Sequence, residues 1–351
     1  MKNEHKHLVV LIPGFAADED DSTCLPAQQA FMKSLRRIYP GLKVSVIAFQ
    51  YPFTAREYSW NGIDVFPLNG RNKGGARRLI TWYRAWKLMK RLKKDGHVIG
   101  LLSFWCSDCA LVAKKFATKN KMKHYCWVLG QDAKKENGFV NRIKPKASEL
   151  IAMSDFLKKE FHKNHGIDPA YVVPNAIDTS VFSGTTNDRT IDLIGVGSLI
   201  TLKRYEIFIE VLGKLVHKFP SLRSLICGKG PEHEKLQHLI NELGLKAHVQ
   251  LVGEKSHHEV LQCLQESKIL VHPSSYEGYS GACAEALYAG AHVVSFCSPS
   301  STSIEHWHVV QTTEEMTIRI NELLSDPLLD HKRVLTQSID GSTRAIMSLY
   351  N

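Results

Sequence analysis

The sequence predicts an α/β protein built of two doubly wound domains. Three observations lead there. Apolar stretches of strand length alternate with amphipathic stretches of helical length almost throughout, the pattern of parallel sheets covered on both faces. The alternation breaks near 174–188, opening with Pro174-Asn175, and then restarts. The length of 351 residues suits two domains of roughly 100–200 residues each.

In the first half, 8–13 reads as a strand, 25–38 as a helix, 44–49 as a strand and 76–94 as a long helix. Strands at 98–103 and 124–129 flank a helix at 109–118. A short strand at 150–153 precedes Ser154, whose hydroxyl can cap the helix over 155–165. A short segment at 172–173 ends at the breaker. In the second half, strands at 190–196, 224–227, 249–252, 269–272 and 293–296 alternate with helices at 205–219, 231–243, 257–266 and 281–289. Pro231 is expected in the first turn of its helix. A late helix covers 315–324 and another forms from the tail, 340–351. The boundaries are 1–173 for the first domain and 174–339 for the second.

Composition narrows the function classes. Hydrophobic residues make up 44% and charged residues 23% of the chain, an ordinary globular balance that excludes extensive disorder. No run approaches the ~18–20 apolar residues of a membrane span. The start leads into only six apolar residues and reads as a buried strand, not a signal peptide. The expected location is cytoplasmic, with the eight cysteines reduced. The net charge of +10 is uneven: residues 1–180 carry 30 Lys/Arg against 16 Asp/Glu, and residues 181–351 carry 15 against 19. A basic half suits an anionic partner.

The stretch richest in chemistry is Ser274-Ser275-Tyr276-Glu277-Gly278-Tyr279-Ser280-Gly281-Ala282-Cys283-Ala284-Glu285-Ala286-Leu287. Two glutamates are separated by seven residues. Glu277 lies in the loop after a strand, where Gly278 and Gly281 allow close approach to a ligand. The free N–H groups near 280–282 open a helix of small residues at the sheet's carboxyl end, where α/β folds bind phosphate-bearing ligands. Glu285, one turn in, can accept from two neighbouring hydroxyls such as those of a ribose. Taken singly, each glutamate reads as a surface charge; the combination reads as a site.

This stretch resembles the Glu-x7-Glu motif of retaining glycosyltransferases of the GT-B fold, especially glycosyltransferase family 4. Val172-Val173-Pro174-Asn175-Ala176-Ile177-Asp178 is similar to the family's interdomain segment. Gly195-Val196-Gly197-Ser198-Leu199 with Lys203 is similar to its phosphate-binding segment, and Cys227-Gly228-Lys229-Gly230-Pro231-Glu232 to its Gly-x-Gly-Pro strand end. The resemblance spans about residues 8–300. It implies two Rossmann-like domains facing across a cleft, the first binding acceptor and the second a nucleotide-diphosphate sugar, with the tail helix returning to the first domain. Glu277 would contact the donor sugar and Lys203 would neutralise charge on the leaving diphosphate, both in catalytic roles. Glu285, the amides of Tyr279, Ser280 and Gly281, and the segments around Gly197, Ser198, Gly228 and Val252 would bind the donor. Two positions depart from the family pattern. Ser198 stands where an Arg is frequent, with Arg204 as its expected substitute. Leu129 stands where a His is frequent, while Asp132 is kept. On the acceptor side the resemblance implies the glycine-bearing loop after the first strand, with Gly14, Phe15 and Asp18, together with Asp132.

Asp18-Glu19-Asp20-Asp21 imitates the Asp-x-Asp metal site of the other main glycosyltransferase fold. That reading is rejected, since Lys203 and a helix N-terminus already offer compensation for a diphosphate; no metal or other cofactor is expected. Residues 71–94 hold ten Lys/Arg and no acid, with Leu79, Trp82, Tyr83, Trp86 and Met89 at helical spacing. This suggests a helix lying on an anionic membrane surface, which would make the protein peripheral on the membrane's inner face; a scaffold helix with a solvated basic face is the plainer alternative. No nucleic-acid motif is present. Cys106-Ser107-Asp108-Cys109 lacks a second pair at zinc spacing. His257-His258 and His306-Trp307-His308 lack a carboxylate or cysteine at ligand spacing and read as surface or packing residues. Gly195-Val196-Gly197 lacks the third glycine of a dinucleotide fingerprint.

The function expected is sugar transfer with retention from a nucleotide-diphosphate sugar to a glycan or lipid-linked acceptor, in bacterial-type surface polysaccharide or glycolipid synthesis. The alternatives are an epimerase or phosphorylase on the same scaffold, and a non-catalytic sugar-nucleotide or glycan binder.

Overall fold

A computed structural model describes residues 6–182, 188–300 and 302–351. Residues 1–5 of the basic start, 183–187 within the expected connection, and Ser301 lie outside the described residues. The chain divides into two compact units, 1–175 with 339–351, and 176–338.

The first unit contains β1 (Lys6–Gly14), α1 (Pro26–Ile38), β2 (Lys43–Tyr51), β3 (Tyr58–Trp60), β4 (Ile63–Pro67), α2 (Gly75–Asp95), β5 (His97–Phe104), α3 (Asp108–Asn120), β6 (Lys123–Val128), α4 (Gly138–Ile143), β7 (Leu150–Ala152), α5 (Asp155–His165) and β8 (Tyr171–Val172). Its sheet runs β3-β4-β2-β1-β5-β6-β7-β8, parallel except for the β3–β4 pair. Leu8 to Ile12 of β1 are fully buried because β1 sits in the middle with helices on both faces. Ser154 Oγ accepts from Leu157 N at 3.0 Å, the cap that its position before α5 suggests. The β3–β4 hairpin and α4 are too short to show a period in the sequence.

The second unit contains β9 (Ile191–Val196), α6 (Tyr205–Leu215), β10 (Ser224–Cys227), α7 (His233–Glu242), β11 (Val249–Gly253), α8 (His257–Gln265), β12 (Ser267–His272), α9 (Gly281–Tyr288), β13 (His292–Ser295), β14 (Trp307–Val309) and α10 (Thr313–Ser325). Its all-parallel sheet runs β11-β10-β9-β12-β13-β14. Two expectations need correction. Pro231 precedes α7 instead of opening it: Glu232 N donates to Leu199 O and His233 N to Gly230 O, which holds 230–232 as a turn. Helix α6 stops at Leu215, four residues short of 219, and the chain turns there, with Lys218 N and Phe219 N both donating to Leu215 O.

The last helix, α11 (Ile339–Ser348), belongs to the first unit and packs on α1. Asp340 Oδ1 accepts from Ser34 Oγ at 2.7 Å and pairs with Arg37, and the Tyr350 hydroxyl donates to Leu101 O at 2.8 Å.

Candidate functional site

In the second unit the chain leaves β9 towards β10 and β11, then returns to the other side of β9 as β12. The carboxyl ends of β9 and β12 therefore form the switch point where open α/β sheets bind ligands. Beyond β9, the chain reaches Lys203 through a short 3₁₀ turn, Thr201–Lys203. Beyond β12, the loop is tied to that turn, since Ser275 N donates to Leu202 O at 3.1 Å. This tie brings two segments more than seventy residues apart into one site.

Lys203 Nζ ion-pairs with Glu277 Oε1, and both side chains are largely buried. The same oxygen accepts from His272 Nε2 at 3.0 Å. His272, the last residue of β12, is itself 2% exposed. Burial would raise the Glu277 carboxyl, but the His272 hydrogen bond and the Lys203 charge outweigh it and hold its pKa at about 2. Burial, reinforced by Lys203, pushes the His272 imidazole down against the pull of Glu277. At neutral pH the cluster is a carboxylate clasped by an ammonium and a neutral imidazole.

One turn along, Ser280 caps α9 by accepting from Cys283 N at 3.3 Å. Helix α9 packs on the sheet through Cys283, Ala284, Ala286 and Leu287, all fully buried. Glu285 projects from the same helix, half-buried, and its Oε1 accepts from His257 Nε2 at 2.7 Å. His257 is thus no plain surface or packing residue, which corrects that expectation. Its carboxylate partner lies 28 positions away and left no local spacing to read. His272 was missed because it read only as the end of an apolar strand.

The glycines of the neighbouring loops have a steric cause. At Gly228, with φ of 153°, a Cβ would lie 1.9 Å from Gly197 O. At Gly230 it would lie 2.2 Å from Leu199 O. Gly197 N donates to Cys227 O and Leu199 N to Lys229 O, so the β9 and β10 loops run in backbone contact beside Lys203. Around Gly281, by contrast, a Cβ would meet nothing within 4 Å, which leaves the α9 N-terminus open to a ligand. The remaining expected donor-side residues are spread around this core. Ser198 is exposed. The Arg204 guanidinium lies over the Phe296 ring, 5.3 Å from its centroid. Val252 packs on the apolar cluster under α8 and α9. The Tyr279 hydroxyl shares a hydrogen bond with Thr336 at 2.8 Å.

In the first unit, the equivalent switch point lies between β1 and β5. A cavity of about 440 Å³ opens at these strand ends, lined by Gly14, Gln50, Tyr51, Asn72, Trp105 and Asp108 among others. The other expected acceptor-side residues, Phe15, Asp18 and Asp132, do not line it. The Phe15 ring is fully buried, edge-on to Trp60 with centroids 4.9 Å apart, so it is a core residue. Asp18 Oδ1 accepts from the backbone of Asp20 and Asp21, and Asp21 from Ala17 and Cys24, so this acidic run stabilises its own loop. Asp132 is buried and accepts from Leu129 N at 2.9 Å; burial wins over its hydrogen bonds and raises its pKa to about 7. Among the described residues no three His, Cys, Asp or Glu side chains are grouped so as to hold a metal ion.

Helix α2 divides its aromatic residues differently from the expected single stripe. Trp82 Nε1 donates to Asp108 Oδ1 at 2.8 Å and Trp86 packs edge-on to Phe116, so both tryptophans face inward. Leu79, Ile80 and Tyr83 are exposed instead, at 60, 50 and 68%. Further along, Arg84, Lys87 and Arg91 border a groove of about 350 Å³ with Phe66 and Leu88 in its walls. No helix among the described residues is long and apolar enough to cross a membrane. His306 and His308 are packing residues, as expected: they stack with His292, at centroid separations of 4.2 and 5.4 Å, in a cluster that includes His331.

Comparison with known proteins agrees with this architecture. The model of Glycosyl transferases group 1 matches residues 177–337, and that of Glycosyltransferase Family 4 matches residues 31–181. The chain is 26% identical over 152 residues to a phosphatidylinositol N-acetylglucosaminyltransferase protein of Arabidopsis thaliana, covering 42% of this chain and 34% of that protein. It is 26% identical over 155 residues to 2-deoxystreptamine N-acetyl-D-glucosaminyltransferase of Niallia circulans, covering 44% and 38%. These two matches therefore span only about a third of the relatives' length. Among solved structures, a glycosyltransferase from Rickettsia africae superposes with a TM-score of 0.72 at 15% identity, covering 98% of each chain. Anabaena HepE in complex with UDP-glucose superposes with a TM-score of 0.68 at 14% identity, covering 97% of this chain and 94% of that one. The fold is that of the GT-B glycosyltransferases.

Proposed function

From a chain whose two units carry glycosyltransferase-family domains on the GT-B fold, we propose an enzyme that moves a sugar from a nucleotide-diphosphate sugar to a hydroxyl of a glycan or lipid-linked acceptor, with retention and without a metal ion. The observation that carries this reading is the clasp of Glu277 by Lys203 and His272 at the second unit's switch point, with Glu285 one turn along α9. Glu285 takes the ribose hydroxyls, the open N-terminus of α9 takes phosphate oxygens, and Glu277 takes hydroxyls of the donor sugar. As the bond from the anomeric carbon to the diphosphate breaks, its electron pair passes to the phosphate oxygen. Lys203 stabilises that charge where it develops. The acceptor oxygen bonds to the anomeric carbon from the face the diphosphate leaves, and its proton passes to the departing phosphate. No protein nucleophile is needed.

The matched relatives named as N-acetylglucosaminyltransferases support N-acetylglucosamine as the first sugar to try. A phosphatidylinositol-directed relative and a poly(ribitol-phosphate)-directed one support lipid-linked and polymeric acceptors respectively. The crevice at Gly14 and Trp105 serves the acceptor. The exposed Leu79, Ile80 and Tyr83 of α2, among its basic residues, support peripheral attachment to an anionic inner membrane face, in surface polysaccharide or glycolipid synthesis.

The test is release of nucleoside diphosphate from UDP-, GDP- and ADP-sugars with glycan and lipid-linked acceptors, with and without EDTA. Transfer is expected to survive chelation and to give a product of unchanged anomeric configuration. Loss of activity with EDTA that manganese restores overturns the metal-free mechanism. Donor binding with neither transfer nor release overturns the enzyme reading.

A further inference from the structure

Glu285 is not free in the folded chain. Its Oε1 is held at 2.7 Å by His257 Nε2. A carboxylate oxygen accepts, so the imidazole donates from Nε2. His257 is itself fixed. It is the first residue of α8, whose start is locked by a reciprocal cap in which Ser256 Oγ accepts from Glu259 N and Glu259 accepts from Ser256 N. The next cation, Lys255, is spent on Glu259 at 3.3 Å. Both partners are only partly buried, with side-chain exposures of 28 and 18%, so the pair borders the open end of the sheet instead of lying inside the core.

A glutamate has three side-chain torsions and loses its aim when unpaired. Two adjacent hydroxyls on one ring require a carboxylate plane in one orientation. We infer that His257 is a positioning residue for nucleotide recognition: it takes one lone-pair direction of Glu285 Oε1 and turns the carboxylate so that its remaining acceptor sites face the 2′- and 3′-hydroxyls of the ribose. This rests on the assignment of Glu285 to the ribose made above. It adds a residue from a different helix, α8, to the specificity for ribo- over deoxyribonucleotides.

The experiment measures dissociation constants by calorimetry for whichever of UDP, GDP and ADP binds the wild-type chain tightest, and for its 2′-deoxy counterpart. His257→Ala is expected to weaken the ribonucleotide by roughly three- to tenfold, the scale of a charge-assisted hydrogen bond that is partly solvated. The same variant should change the 2′-deoxynucleotide less, since that ligand offers Glu285 only its 3′-hydroxyl, so discrimination between the two narrows. His257→Gln, which keeps an N–H donor at similar reach, should restore part of the difference. In a Glu285→Ala background, His257→Ala should add nothing. A general loss of structure at α8 would weaken both nucleotides alike and gain no rescue from Gln, and that result overturns the inference. If Glu285→Ala narrows the discrimination while His257→Ala does not, the ribose assignment stands and the positioning role falls. If Glu285→Ala leaves the ribonucleotide constant unchanged, or none of the three diphosphates binds, the ribose assignment itself falls, and this inference with it.

Discussion

Lys203 and Glu277 form a largely buried ion pair across the ends of β9 and β12, and His272 closes it from below. The lysine approaches from the turn beyond β9, beside Gly197, and the glutamate from the loop that leads into α9.

The pair is expected to separate binding from turnover. Lys203→Ala is expected to lower kcat by about 10²–10³-fold, the loss seen when one electrostatic stabiliser of a developing anion is removed, with a smaller change in KM. It should also let the Glu277 carboxyl rise from about 2 towards its ordinary range, since one of the groups that holds it down is gone. Steady-state kinetics for Lys203→Ala and Lys203→Arg check this. Normal turnover in the alanine variant would move the charge compensation elsewhere, first to Arg204.

Gly228→Ala should destabilise the second unit by roughly 3 kcal/mol or more, because the residue sits at a φ of 153° and its new Cβ would meet Gly197 O at 1.9 Å. At about 2–4 °C per kcal/mol for a unit of this size, the melting temperature should fall by some 6–12 °C. Gly281→Ala, with open space around its Cβ, should leave stability within about 0.5 kcal/mol while reducing nucleotide affinity. Differential scanning calorimetry on both variants separates the two glycine roles.

Membrane attachment should depend on the outer face of α2. Leu79, Ile80 and Tyr83 project outward, while Trp82 and Trp86 are held in the domain. Replacing Leu79, Ile80 and Tyr83 with Ser should abolish sedimentation with phosphatidylglycerol vesicles at low salt. Replacing Arg84 and Lys87 with Gln should weaken it by about 1 kcal/mol per charge. Vesicles that fail to sediment the wild-type chain at low salt would make α2 a scaffold helix and favour a soluble glycan acceptor.

The imidazole cluster of the second unit should make that unit acid-sensitive. Burial, with neighbouring positive groups, lowers His308 to about 4. Burial outweighs the hydrogen bond to Asp330 O and lowers His292 to about 4 as well. A base whose folded pKa lies below its unfolded value of 6.5 takes up its proton first in the unfolded chain. Its contribution to stability is therefore present above about pH 6.5 and is lost as pH falls to about 4. Thermal melts between pH 7 and 4 should show a steep fall that His292→Asn with His308→Asn flattens. An unchanged slope would assign acid sensitivity to other groups.

The sequence by itself determined the alternation of strand and helix, because buried parallel strands and amphipathic helices carry their periods locally, within ten or so residues. It also determined the Ser154 cap, a local hydrogen bond, and singled out Glu277 and Glu285 by residue type beside glycines and a strand end, while Lys203 was marked only by the resemblance of its segment to a phosphate-binding one. What only the tertiary structure decided is which side chains meet. His257 entered the site because α8 lies against α9, a contact that spans 28 positions and follows no repeat, and His272 because the loop after β12 folds Glu277 back onto the strand end. The inward turn of Trp82 was decided by Asp108, 26 residues on, and the burial of Phe15 by Trp60 in a hairpin too short to show a period. Pairing across such distances is fixed by the packing of layers, and a linear pattern carries no record of it.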